Sequence, residues 1–179
     1  MRKILAIAAA AMAVATMQAA TVGWTAGGGA NFKGDKYQIF VLNQNGVTGV
    51  SQITALLDAG SDVSTYAFGS GVINSSGAVQ QAANSSGKTL GEGTYTSFMV
   101  FYDSASPAAG TAKYAVVSGG SQQTITITEK TATANFIGGN VGSTLNNTSN
   151  WQTYGVPEPT TVALLALGLA ALGLKRKVA

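Results

Sequence analysis

The hydrophobic pattern in the middle of the chain predicts a β-rich domain. Two continuous apolar runs of strand length, 37–43 (YQIFVLN) and 96–103 (TSFMVFYD), are typical of strands that are buried on both faces. The segment 124–128 (TITIT) alternates strictly, which would place Ile125 and Ile127 on one face and the threonines on the other. Weaker strand candidates lie at 65–68, at 113–117 and around Ala132, Ala134 and Phe136.

Glycine-rich joints separate these candidates. Glycine is favoured where the chain must turn sharply, because it has no Cβ. The joints lie at 69–71, 91–93, 119–120 and 138–139. The regular spacing of short strands and joints predicts an all-β fold, specifically a β-sandwich-like domain.

One short helix is predicted at about residues 51–59. Ser51 belongs to the residue types that cap helix N-termini, and Gly60 is placed to end the helix. Ile53 and Leu57 are four residues apart and would share one face. We expect this helix to cap a sheet edge or the end of a sandwich rather than to carry chemistry.

The N-terminus has the layout of a secretory signal peptide. Two positive residues, Arg2 and Lys3, precede an apolar run over 4–17, and small residues follow at Ala19 and Ala20. We expect cleavage after Ala19 or Ala20 and export through the Sec translocon. A retained transmembrane anchor is the alternative, but the run is short and rich in alanine.

The C-terminus combines three features in a fixed order. The sequence Pro157-Glu158-Pro159 cannot continue a helix from the preceding domain. An apolar stretch over 160–174 follows, and as a helix it would reach about 22 Å, less than the hydrocarbon core of about 30 Å. The basic residues Lys175, Arg176 and Lys177 come last and would orient the tail with its end in the cytoplasm.

This order of features resembles the PEP-CTERM sorting signal of Gram-negative bacteria that make extracellular polymeric material. The resemblance covers about the last 24 residues. It implies handling by an exosortase, a membrane protease of transpeptidase type thought to cut near the Pro-Glu-Pro sequence and to release or transfer the protein to the cell surface. It implies no fold or activity for the rest of the chain. A plain C-terminal membrane anchor is the alternative, and it too places the protein outside the cytoplasm.

The chain therefore divides into a signal peptide (1–20), a mature β-rich domain (21–155) and a sorting and anchor segment (156–179). The formal net charge is +3, but half of the basic residues lie in the two end segments. Five lysines face six carboxylates in the stretch between them, a net charge of −1. Nucleic-acid binding is excluded as an interpretation, because it requires clustered basic residues.

The composition also limits the possible chemistry. The chain has no His and no Cys, which removes Ser-His-Asp triads, thiol nucleophiles, ordinary zinc sites and disulfides. Ser85 and Lys88 match a Ser-x-x-Lys pattern, but their neighbours predict a solvated loop. Asp58 and Asp62 lie on either side of the expected helix end and are interpreted as exposed carboxylates. We expect no enzyme, no cofactor and no metal.

Aromatic side chains give the only weak candidate for a ligand. Trp24, Trp151 and Tyr154 lie near the ends of the domain, where exposed rings could stack on sugars, although core packing is the simpler interpretation. The polar segment 140–155 fits either a final strand or the beginning of a linker. The leading hypothesis is a structural or adhesive protein of the cell surface or extracellular matrix, as in a biofilm, that crosses the inner membrane transiently. The alternative is a carbohydrate-binding module for extracellular polysaccharide.

Overall fold

The two continuous apolar runs of the sequence form neighbouring strands at the centre of a computed structural model. The structure describes residues 22–27, 30–82, 90–118, 124–128, 134–138 and 141–155. The predicted signal peptide, the Pro-Glu-Pro sequence, the C-terminal apolar segment with its basic residues, and the Ser85–Lys88 loop lie outside these ranges.

The strands in chain order are β1 (Val22–Ala26), β2 (Lys36–Val41), β3 (Gly69–Val72), β4 (Val79–Ala82), β5 (Gly93–Tyr102), β6 (Lys113–Val117), β7 (Thr124–Ile127), β8 (Ala134–Gly138) and β9 (Trp151–Thr153). The helices are α1 (Val50–Asp58) and α2 (Val141–Asn146), with single 3-10 turns at Ala30–Phe32 and Thr148–Asn150.

These strands form two sheets. The large sheet has the order β3-β2-β5-β6-β9, and β7 pairs with the first residues of the long strand β5. Every pairing in the large sheet is antiparallel. In the small sheet, β1 lies between β4 and β8 and runs antiparallel to β4 and parallel to β8. The predicted all-β class is confirmed.

The large sheet buries both of its faces at its centre. One face packs against the small sheet in a cluster that we call the inner core, in which Trp24 of β1 joins Ile39, Met99 and Phe101. The opposite face forms the helix-side core with α1 and the loops around it. Its members include Phe40, Phe98, Val100, Ile53 and Leu57. The expectation that β2 and β5 are covered on both faces is therefore confirmed.

Polar side chains inside these cores are hydrogen-bonded. The indole Nε1 of Trp24 donates to Oγ of Ser97 at 3.2 Å, and the hydroxyl of Tyr102 donates to Oε1 of Gln38 at 2.7 Å. Ser97 and Gln38 are each 1% exposed. Because an unpaired buried polar group destabilises the folded state, these bonds offset the free-energy cost of burying Ser97 and Gln38 among apolar side chains.

Helix α1 occupies the predicted position but begins differently. Its N-cap is Gly49, which makes no side-chain capping bond, so the assignment of Ser51 as N-cap is wrong. The side chain of Gln52 holds this end instead, because its Oε1 accepts a hydrogen bond from the backbone N–H of Thr48 at 2.7 Å. This bond connects the residue before the N-cap to the first turn of the helix, and it leaves the first-turn N–H groups without a side-chain cap.

The C-terminal end of α1 follows the prediction at Gly60. This residue has φ +72°, a left-handed conformation that favours glycine. Its N–H donates to the carbonyl of Leu57 at 2.9 Å, and the N–H of Ser61 donates to the carbonyl of Leu56 at 2.8 Å. This pair of bonds is the Schellman pattern, which satisfies carbonyls at a helix end.

Two local predictions are wrong. Residues 65–68 form a turn rather than a strand, and the neighbouring segment 69–71, predicted as a joint, forms most of β3. Its small residues lie at the edge of the large sheet, where β3 pairs with β2. Pairing with β2 thus overrides the weak strand propensity of glycine and serine.

The segment 140–155 is partly a strand, as one interpretation held, but it also contains a helix. Strand β9 begins at Trp151, and α2 precedes it. Val141 and Leu145, four residues apart on α2, are buried in the inner core. A six-residue helix is not stable alone, so this packing is what forms it. Within the described ranges, none of the helices has the length and apolar character needed to cross a membrane.

We expect Leu57→Ala in α1 to lower the free energy of unfolding by about 2–5 kcal/mol, because it leaves a cavity in the helix-side core. Ser51→Ala should change it by less than about 0.5 kcal/mol, because Ser51 is exposed and does not cap the helix. Urea denaturation measures both. A loss of about 1 kcal/mol for Ser51→Ala, typical of a removed N-cap, would contradict the observed start of the helix.

Candidate functional site

The structure places Trp24 inside the inner core. Its side chain is 0% exposed, and its ring packs against Phe68 at a centroid distance of 5.3 Å. Its Nε1 is bonded to Ser97. Trp24 therefore has no free ring face on which a sugar could stack.

Trp151 and Tyr154 also have partners within the domain. Trp151 is half-buried, stacks on Phe32 at 5.4 Å and donates from Nε1 to the carbonyl of Leu145 at 2.7 Å. Tyr154 is 9% exposed and meets the ring of Tyr102 edge-on at 5.9 Å. The three aromatics predicted as glycan contacts thus pack against three different rings and form no shared platform.

The two carboxylates singled out in the sequence have separate roles. Asp58 accepts a hydrogen bond from the hydroxyl of Tyr114 at 2.6 Å. Asp62 accepts from both the N–H and the hydroxyl of Ser64 at 2.8 Å, and these bonds lower the pKa of Asp62. Each carboxylate therefore has its own hydrogen-bond partner, and the two do not share one. In the described part of the chain, no three acidic side chains converge to hold a metal ion.

A polar groove of ≈ 360 Å³ lies beside α1, at the β9 edge of the large sheet. Elements from distant parts of the sequence build it: α1, β6, α2, the last 3-10 turn and β9. Most of its lining side chains carry hydroxyl or amide groups and none carries a formal charge. These side chains are Thr54, Tyr114, Thr144, Ser149, Asn150 and Gln152.

Tyr114 anchors the groove to α1. It lies opposite Gln152 in the register of β6 and β9, and its side chain is 0% exposed. Its hydroxyl oxygen lies 2.6 Å from Oδ1 of Asp58 and 2.7 Å from Oε1 of Gln152. A phenol has one proton, which the charged carboxylate accepts more strongly. Oε1 of Gln152 is the second acceptor within reach of the same hydroxyl.

Burial and the bond to Asp58 raise the pKa of Tyr114 above its ordinary value of 10. Tyr114 therefore stays neutral and remains a donor throughout the physiological pH range. The sequence analysis missed Tyr114, Thr54 and Gln152, because no local pattern connects residues on a helix and two strands that are 38 to 98 positions apart.

The end of the domain contains a second unusual arrangement, the glycine junction of Gly60, Ala109 and Gly155. A Cβ atom added to Gly155 would lie 2.7 Å from both the Cα of Gly60 and the Cβ of Ala109. Gly155 also has φ +68°, in the left-handed region. Only glycine fits at this position without a shift of its neighbours.

Hydrogen bonds hold the same segment in place. The N–H of Gly155 donates to the carbonyl of Leu57 at 2.9 Å, and the N–H of Tyr154 donates to the carbonyl of Ala112 at 2.9 Å. The carbonyl of Tyr154 accepts from the N–H of Gly110 at 2.7 Å. The chain is therefore fixed to α1 and to the loop before β6 as far as Gly155.

We expect Gly155→Ala to lower the free energy of unfolding by about 2–5 kcal/mol, because it combines left-handed strain with overpacking at the glycine junction. Gly34→Ala is the matched control. Gly34 has φ +86°, but its added Cβ would meet nothing within 4 Å, so only about 1–2 kcal/mol is expected. Equal losses in urea denaturation would show that the close approach contributes nothing.

The raised pKa of Tyr114 predicts alkaline sensitivity. Because the pKa of Tyr114 is higher in the folded than in the unfolded state, the neutral phenol adds stability to the fold. This stability is complete below pH 10, the ordinary pKa of tyrosine, and it is lost as the pH rises from 10 toward the pKa of the folded state. Tyr114→Phe should cost about 1–3 kcal/mol at pH 7 and should flatten the fall in stability above pH 10. Urea denaturation from pH 7 to 11 measures this. An alkaline fall as steep as that of the unmodified protein would contradict the assignment.

Comparison with known proteins concerns the C-terminal end. Residues 155–177 match the family model of the PEP-CTERM protein-sorting motif. The match begins at Gly155 and includes the Pro-Glu-Pro sequence and the three basic residues, so the resemblance seen in the sequence is confirmed. No curated protein and no solved structure matches the chain. The chain thus carries a C-terminal PEP-CTERM protein-sorting motif, which implies an exported protein that an exosortase processes.

Proposed function

We propose that residues 21–155 form a sandwich-like, non-enzymatic domain with a structural or adhesive role at the cell surface or in the extracellular matrix. The sorting motif delivers it there. The observation that carries this proposal is the continuity between fold and motif: the glycine junction fixes the chain as far as Gly155, where the matched motif begins.

The glycine junction suits a protein whose tail is processed after folding. Gly155 is bonded to the carbonyl of Leu57, and Leu57 lies in the helix-side core. The tail therefore starts at a fixed point on the folded domain. In the proposed route, Sec exports the chain, the signal peptide 1–20 is removed, and the segment 156–179 holds the protein in the inner membrane until the exosortase acts.

The described core supports a load-bearing or adhesive role over a flexible one. The strands β2 and β5 are covered on both faces, and the buried polar groups of Ser97 and Gln38 are bonded. The chain has no cysteine and therefore no disulfide. Burial of the apolar core can stabilise the domain outside the cell without one. Stacking of sugars on Trp24 and Tyr154 finds no support, because both rings are buried.

Replacing Pro157, Glu158 and Pro159 with alanines tests the proposed route. We expect the variant to accumulate in the membrane fraction with its C-terminus intact, because the exosortase loses the feature that it recognises. The unmodified protein should be released without roughly its first 20 and last 20 residues. Intact-mass spectrometry of the surface and membrane fractions distinguishes the two.

The matched control, Pro107→Ala, replaces the proline that lies outside the matched motif and should be processed normally. Release of the Pro-Glu-Pro variant at the normal rate, or a mature protein that ends in Ala179, would contradict exosortase sorting. Turnover of a glycoside or peptide substrate by the purified protein would contradict the non-enzymatic role.

A further inference from the structure

The polar groove beside α1 is uncharged in its lining but rich in hydrogen-bonding atoms. Its volume of ≈ 360 Å³ is within the range of small-molecule sites in proteins. Val116 adds an apolar surface next to Tyr114, on the same face of β6. A small ligand that combines polar edges with some apolar surface would complement this lining.

The protein uses the donors of the lining groups for its own structure. The hydroxyl of Thr54 donates to the carbonyl of Ser51 at 3.0 Å, and the hydroxyl of Ser149 donates to Oδ1 of Asn147 at 2.7 Å. Nδ2 of Asn150 donates to the carbonyl of Thr144 at 3.0 Å. Each of these groups keeps an oxygen lone pair that can accept a further bond.

Gln152 follows the same rule. Its Oε1 lies 2.7 Å from the hydroxyl of Tyr114, and an amide oxygen has a second lone pair that can accept a further bond. Four acceptor oxygens, on Thr54, Ser149, Asn150 and Gln152, thus line one groove. Their common requirement is a ligand that supplies several donors.

We propose that this groove binds a neutral saccharide of one or two rings, whose hydroxyls donate to these four oxygens and whose C–H surface packs on Val116. Sugar hydroxyls supply closely spaced donors without charge, and the ring supplies the apolar surface. A protonated amine also supplies donors, but the carboxylate of Asp58, which accepts from Tyr114 at 2.6 Å, is not part of the lining, so the lining offers no charged group to pair with it. The inference does not depend on how the chain reaches the cell surface.

Titration of the full-length protein with defined sugars tests the proposal. The protein is kept in dodecylphosphocholine, whose headgroup contains no sugar. The probes are cellobiose, maltose and lactose, with the protonated disaccharide of glucosamine and with glucuronate as charged counterparts. We expect saturable binding of at least one neutral disaccharide by calorimetry and by saturation-transfer NMR, and at least tenfold weaker binding of both charged probes.

Two variants connect binding to the groove. Thr54→Val and Ser149→Ala each remove one acceptor and should weaken binding about tenfold, the effect of one hydrogen bond. Ser76→Ala is the control for Ser149→Ala, because Ser76 donates to Oδ1 of Asn74 at the same 2.7 Å but lies outside the groove lining.

Thr111→Val is the control for Thr54→Val. The hydroxyl of Thr111 also donates to a carbonyl three residues earlier, that of Ala108, at 3.2 Å, away from the groove lining. Both controls should bind as the unmodified protein does, and each should match its partner in free energy of unfolding.

Three results would each overturn the proposal: no neutral sugar binds, the amino sugar binds more tightly than the neutral sugars, or the groove variants bind as well as their controls. None of these would affect the sorting test, which follows the C-terminal tail and not the groove.

Discussion

The structure depends on one constraint: the antiparallel pair of β2 and β5 has no face that can be left in water. In the paired stretches 37–41 and 97–101, side chains alternate between the two faces, and both sets are mainly apolar. Burial of apolar area is the main favourable term in folding, so this pair must be covered twice. The small sheet covers one face through Trp24, and α1 covers the other through Ile53 and Leu57.

Helix α1 then connects the two features to which we assign functions. Its Thr54 side chain lines the polar groove, and Asp58 in its last turn accepts a hydrogen bond from the hydroxyl of Tyr114. Leu57 and the left-handed Gly60 lie at its C-terminal end. The same two residues contact the last described residue, Gly155, whose N–H donates to the carbonyl of Leu57. A helix that is required to cover the sheet therefore also positions the groove and the point where the sorting motif starts.

The sequence predicted best the strands in which the pattern of apolar residues itself shows which faces are buried. The continuous runs of β2 and β5 and the alternation of β7 reflect which faces are covered, and this information is local. The misplaced elements are those whose structure depends on a partner. Strand β3 is made of glycine and serine with a single valine and forms through pairing with β2, and α2 is held by Val141 and Leu145 in the inner core.

The sorting motif and the helix end at Gly60 can be identified from residue types within a short segment, and the all-β class from the spacing of such segments. The burial of Trp24 and Tyr154, the uncharged groove and the approach of Gly155 to Gly60 depend instead on contacts between distant segments. Tyr114 is 38 residues from Gln152 and 56 from Asp58, and Gly155 is 95 from Gly60, so no local pattern connects them. They meet because burying both faces of β2 and β5 brings distant segments together.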